Sequence, residues 1–83
     1  MKILKFKASW CNPCKTLTKM MENVELPFEV TELDIEEDMQ EAIKFSVRGV
    51  PTMLLVDDND TVVKSFVGLP KNQQELMDIF KAA

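Results

Sequence analysis

Cys11 and Cys14 stand three positions apart within Ser9-Trp10-Cys11-Asn12-Pro13-Cys14-Lys15, and the chain has no other cysteine. Two thiols at this spacing offer thiol–disulfide exchange, in which a thiolate attacks a disulfide sulfur and a second thiol resolves the mixed disulfide. Alternating apolar residues precede the pair and a helical apolar spacing follows it, so it lies where a strand hands over to a helix. A cysteine at a helix N-terminus gains from the dipole and the unpaired N–H groups, and its pKa falls toward neutrality. Cys11 is therefore placed to attack. Cys14, one turn on and on the apolar face of the helix, is expected to be shielded and to resolve. Pro13 fits the first helical turn, where its missing N–H is no loss.

Other uses of the pair fit less well. Closing a four-residue loop stabilises a fold by about 2 kcal/mol at best, and strain in so small a ring can cancel that. Small secreted domains normally carry several bridges between distant segments. A structural zinc site needs four ligands, and two cysteines with no histidine would have to be completed by a dimer. Asp57-Asp58-Asn59-Asp60 lacks the alternating ligands and terminal glutamate of a calcium loop and reads as a solvated turn.

The elements that position the cysteines follow from periodicity. Lys2 to Ala8 alternates, with Ile3 on one side and Leu4 and Phe6 on the other, as in a strand covered on both faces. Cys14, Leu17, Met21 and Val24 recur at helical spacing until Leu26-Pro27. A second strand runs from Phe28 through Ile35. Glu36-Glu37-Asp38 suits a helix start, Met39, Ala42, Ile43 and Val47 supply that helix with an apolar side, and Gly49 closes it. Thr52 to Val56 is a central strand, Thr61 to Val67 its hairpin partner, and Gly68-Leu69-Pro70 breaks the sheet. Gln73, Leu76, Met77 and Phe80 mark a last helix, with Asn72 and Glu75 as a capping box. Residues 1–83 thus form a single α/β domain of order βαβαββα, a four-stranded mixed sheet with three helices. Right-handed crossover makes the first two strands parallel neighbours.

Composition narrows the partners. The net charge of −4 leaves no basic stripe for a phosphate backbone, which argues against nucleic acid. Lysines at positions 2, 5 and 7 interrupt the apolar residues of Lys2 to Lys7, so this segment is neither a signal-peptide core nor a membrane span. A cytoplasmic monomer is expected. Most of the six methionines fall at core-facing positions and read as packing.

Trp10-Cys11-Asn12-Pro13-Cys14-Lys15 resembles the thioredoxin active-site motif, which usually reads W-C-G-P-C-K. Arg48-Gly49-Val50-Pro51-Thr52 is similar to the thioredoxin cis-proline loop, and the likeness extends to Lys64–Gly68 and the last helix. The usual N-terminal strand and helix do not precede the motif strand. Phe66-Val67-Gly68-Leu69 stands where glutaredoxins carry their glutathione-binding Gly-Gly-x-Asp. The resemblance implies a thioredoxin-like fold and a protein-disulfide reductase with no bound cofactor. Electrons would come from NADPH through a flavin-containing thioredoxin reductase, and a disulfide-containing protein such as ribonucleotide reductase would receive them. It also implies a docking surface of Trp10, Asn12, Pro13, Val50, Pro51 and Gly68. On the residues alone Trp10 reads either as a surface contact or as a partly buried anchor, and Pro51 as an ordinary trans proline. A glutathione-dependent glutaredoxin-like enzyme and a non-catalytic binding module are the alternative functions.

One departure concerns charge. Thioredoxins usually bury an aspartate six residues before the first cysteine, with a lysine on the neighbouring strand. Here Lys5 and Glu32 occupy those places, exchanged in sign. Either they pair beneath Cys14, with Glu32 as a proton acceptor, or both reach solvent at the sheet margin. Lys15, beside Cys14, is a further candidate for tuning the site.

Overall fold

The computed structural model describes residues 1–81. Along the chain run β1 (Lys2–Lys7), α1 (Asn12–Met21), β2 (Glu29–Asp34), α2 (Met39–Lys44), β3 (Thr52–Val56), β4 (Val62–Val67) and α3 (Gln73–Ile79). This is the expected βαβαββα order. The strands form a four-stranded sheet in the order β2-β1-β3-β4. β1 is parallel to β2 and antiparallel to β3, and β3 pairs antiparallel with β4. A parallel pair needs a crossover longer than a hairpin, and α1 supplies it.

Side-chain alternation divides the interior into two layers. Ile3, Met53 and Leu55 point to one face, where Leu17 of α1, Leu76 of α3 and Phe80 just after it cover them. Leu4, Phe6, Leu54 and Val56 point to the other and pack with Ala42 of α2. Because both faces are covered, β3 is buried at every position and β1 from Ile3 to Phe6. β4 lies at the sheet edge and is largely exposed.

Three sequence expectations are corrected. Ser46, not Gly49, closes α2: it adopts φ 56°, Val47 N donates to Ala42 O at 2.9 Å and Ser46 N to Ile43 O at 3.0 Å, the paired bonds of a Schellman motif. This early end leaves α2 only about one and a half turns long, so Ala42 alone is buried on it while Met39 and Ile43 face solvent. The methionines are more exposed than expected, with Met1, Met39 and Met77 all on the surface and Met53 fully enclosed. A residue one step off the apolar stripe of a short helix, like Met77 beside Leu76, is carried away from the core. The third is the end of α1, expected at Leu26-Pro27 and found at Met21 with Glu22 as C-cap. The acidic cluster does stand at the start of α2, with Asp38 as its N-cap and Asp34 Oδ1 accepting from Glu36 N at 2.8 Å in the turn before it.

At α3 the expected cap forms with its return bond displaced. Asn72 Oδ1 accepts from Glu75 N at 2.9 Å, while Glu75 Oε1 accepts from Lys71 N at 3.2 Å rather than from Asn72 N.

Leu17 is fully enclosed between the sheet and α3, so Leu17→Ala should lower unfolding stability by about 2–5 kcal/mol. Urea denaturation followed by far-UV circular dichroism measures this. A loss below about 1 kcal/mol would mean that α1 is not anchored through this residue.

Candidate active site

β1 delivers the chain to the site. Beyond Lys7, Cys11 N donates to Ala8 O at 3.1 Å, turning the backbone from strand into helix. Cys11 then takes the N-cap position of α1, with extended backbone angles (φ −91°, ψ 106°) and Pro13 in the first turn. Its Sγ accepts a hydrogen bond from Cys14 N at 3.1 Å, so the sulfur occupies the place that a capping oxygen usually fills. An anionic sulfur there faces an unpaired N–H and the positive end of the helix dipole, the environment that favours a thiolate.

Cys11 and Cys14 are joined by a disulfide, with Cα atoms 5.2 Å apart. In this oxidised state both are largely enclosed, at 4% and 2% exposure, with Ala8 beside them. Ile35 and Val50 pack against this cluster. Val50 brings the second motif to the first: the Val50–Pro51 peptide is cis and Pro51 is buried. The loop is tied on both sides, since Thr52 Oγ1 donates to Gly49 O at 2.7 Å and Gly68 N donates to Pro51 O at 2.8 Å. Gly68 makes this bond with φ 101°, a backbone region that glycine enters without steric cost.

Asn12, Pro13 and Lys15 are exposed around the disulfide. Trp10 is 65% exposed, which settles its place at the surface, and its Nε1 donates to Glu36 Oε1 at 3.1 Å. That bond restrains an indole whose apolar faces remain open to a partner.

Lys5 and Glu32 are direct neighbours in the parallel register of β1 and β2. Lys5 is 1% exposed, and its Nζ donates to Glu32 Oε1 at 3.0 Å and to Thr18 Oγ1 at 2.6 Å. Glu32 stays about half exposed and also meets Lys7, with Nζ 3.7 Å from Oε2. The two therefore pair, with the cation inside and the anion at the margin. The Lys5 hydrogen bond holds the Glu32 carboxyl below its ordinary range, against the opposing effect of partial burial, and the charges of Lys5 and Lys7 add to the lowering. Thr18 Oγ1 in turn donates to Cys14 O at 3.1 Å, linking the ion pair to the helix that carries the dithiol.

Thr18, Glu36 and Ile35 were not marked as site residues by sequence reasoning. Thr18 lies four residues after Cys14, on the same helix face, and that spacing was the available signal. Glu36 and Ile35 sit in a turn whose approach to the site depends on the tertiary fold. Among the described residues, no group of three or more histidine, cysteine or carboxylate side chains is gathered to hold a metal, and no helix is long and apolar enough to cross a membrane.

The thioredoxin family model matches residues 1–82. The chain belongs to the thioredoxin family. It is 35% identical over 75 residues to a thioredoxin of Buchnera aphidicola, an alignment covering 86% of this chain and 69% of that one. It is 38% identical over 80 residues to a thioredoxin of Chlamydia muridarum, covering 93% and 76%. The SPbeta prophage-derived thioredoxin-like protein YosR of Bacillus subtilis is 33% identical over 73 residues, covering 88% and 89%. Among solved structures, a mutant thioredoxin from Halobacterium salinarum matches with a TM-score of 0.83 at 32% identity, over 95% of this chain and 70% of that chain. A thioredoxin from Trypanosoma brucei brucei gives 0.78 at 27% identity, over 98% and 75%. The thioredoxin family and the Cys11–Cys14 pair together make the chain a thiol–disulfide oxidoreductase.

The ion pair carries a pH signature. A carboxyl whose folded pKa is depressed contributes stability that is fully present above its unfolded value, 4.5 for Glu32, and lost as pH falls through the folded value. Glu32→Gln should therefore cost most near neutral pH, and its difference from wild type should shrink as pH drops below that ordinary value. The cost stays modest because water screens the exposed carboxylate. Urea midpoints at a series of pH values measure it, and a difference constant down to pH 2 would contradict the pairing.

Proposed function

We propose that the protein reduces disulfides in other proteins, with Cys11 as nucleophile and Cys14 as resolving thiol. The observation that carries this reading is the asymmetry of the pair: Cys11 caps α1 and receives the Cys14 N–H, whereas Cys14 lies within the helix.

In the reduced form, the Cys11 thiolate attacks one sulfur of the substrate disulfide. A Cys11–substrate disulfide forms and the other substrate sulfur leaves as a thiolate, which takes up a proton. Cys14 then loses its proton and attacks Cys11 Sγ. The Cys11–Cys14 bond forms and the second substrate sulfur leaves and is protonated. The substrate disulfide gains two electrons and the cysteine pair gives up two.

The docking surface is the rim around the pair: Trp10, Asn12, Pro13, Val50, Pro51 and Gly68. Trp10 supplies an apolar face, and the backbone beside Pro51 receives an extended substrate segment as a short added strand. Lys15 adds a positive charge next to Cys14. The pair is recycled by a flavin-containing thioredoxin reductase drawing on NADPH, and the substrates are cytoplasmic disulfide proteins of the ribonucleotide reductase kind. The protein acts as a monomer without a bound cofactor. Phe66-Val67-Gly68-Leu69, in place of a Gly-Gly-x-Asp glutathione site, favours this over recycling by glutathione.

Reduction of insulin disulfides by the dithiothreitol-recycled protein tests the assignment. Cys11→Ser should bring the rate to background. Cys14→Ser should accumulate a Cys11–substrate mixed disulfide, visible by mass as a covalent adduct. If the doubly substituted protein supports the same partner-dependent function in cells as wild type, the protein is a binding module and the redox reading fails.

A further inference from the structure

Lys5 is a fully enclosed ammonium group that takes no part in the exchange steps at Cys11 and Cys14. Among the described residues, two side chains receive its hydrogen bonds: Thr18 and Glu32. A groove of about 430 Å³ under α1 opens onto this cluster, lined by Lys5, Thr18, Glu22 and Glu32 together with apolar side chains that include Met21 and Phe28.

Resting on the proposed exchange reaction, we infer that Lys5 is a positioning residue that stabilises the Cys14 thiolate during the resolving step, with Glu32 as the counter-charge that limits this effect. Lys5 Nζ and Cys14 O share the Thr18 hydroxyl, which accepts from the first at 2.6 Å and donates to the second at 3.1 Å. The ammonium is thus two hydrogen bonds from the Cys14 backbone, in an interior where Coulomb interactions are screened far less than in water. Glu32 lies beyond it at the sheet margin, half exposed and shared with Lys7. Of two opposite charges, the buried one acts more strongly on a buried sulfur, because the exposed one is screened.

The groups facing this cluster are few. α1 contributes Cys14, Thr18 and Glu22, β1 contributes Lys5 and Lys7, and β2 contributes Glu32. On β3, Met53 is the register neighbour of Lys5, and from α3 the Gln73 amide reaches α1, donating to Met20 O at 3.0 Å. Lys15, Lys19 and Glu22 border the cleft beside Cys14 from the solvent side, where water screens them. Glu32 is a poor proton acceptor in this setting, since Lys5 already stabilises its ionised form.

The two roles predict opposite signs for one substitution. In a Cys11→Ser background, where Cys14 is the single thiol, thiolate absorbance near 240 nm is followed against pH. Lys5→Met should lower the thiolate fraction at a fixed pH by about threefold, moving the midpoint up by about half a pH unit. Glu32→Gln, which leaves an amide oxygen to accept from Lys5 at a half-exposed position, should move the midpoint down. In the protein with both cysteines, the rate of resolving a Cys11 mixed disulfide should follow the same two directions. An upward shift in Glu32→Gln would make Glu32 a proton acceptor and overturn the inference, as would no shift in Glu32→Gln. If Lys5→Met fails to fold, the sign in Glu32→Gln alone decides. A wild-type pair that forms no reversible disulfide removes the exchange reading itself, whereas normal cycling with unmoved midpoints removes only the role of Lys5.

Discussion

β1 gives up both edges and both faces to the rest of the molecule. Its backbone is hydrogen-bonded to β2 on one side and β3 on the other, and its side chains from Ile3 to Phe6 are enclosed above and below. A strand bound on four sides has no freedom to shift register without exposing a whole apolar row. The point where it ends is therefore fixed, and Ala8 and Cys11 follow directly from that end. The dithiol inherits its position from the most constrained segment of the sheet rather than from the loop that carries it.

The same strand positions the other half of the site. β3 is its antiparallel neighbour, with Phe6 opposite Thr52, so the start of β3 must lie beside the end of β1. The Val50–Pro51 loop immediately precedes Thr52, which brings Val50 onto the cysteine cluster. Gly68 closes the arrangement from the far end of β4, because the hairpin pairs Thr52 with Val67. Three segments far apart in sequence thus meet at one end of the sheet through strand pairing alone. This is the usual location of sites in open α/β sheets, beyond the ends of the strands.

What was legible in the sequence follows the same division. The cysteine pair, the strand-to-helix junction and the apolar faces of β1, α1 and β3 rest on short-range periodicity, and the structure reproduces them. The cis Val50–Pro51 peptide was legible only through the resemblance to thioredoxins, since proline itself favours trans. The end of α2 was misplaced because a serine, not the nearby glycine, adopts the left-handed conformation. The depth of Lys5 was open for another reason. Whether a lysine on a central strand snorkels outward or turns inward depends on the helix packed over it. Here Thr18 on that helix and Glu32 on the next strand receive the inward-turned ammonium.

That inward turn changes how the site should be viewed electrostatically. An isolated charge buried at this depth would cost several kcal/mol in desolvation, so the ammonium requires the Glu32 carboxylate. The carboxylate, at the sheet margin, keeps much of its hydration and needs less in return. Such a pair is close to neutral when seen from a distance, but not from α1, which meets the ammonium first. Exchanging the signs of a buried pair consequently preserves its contribution to packing while reversing the field at any group on the enclosed side. The charge that the fold needs for pairing and the charge that the dithiol meets are then different members of the same pair.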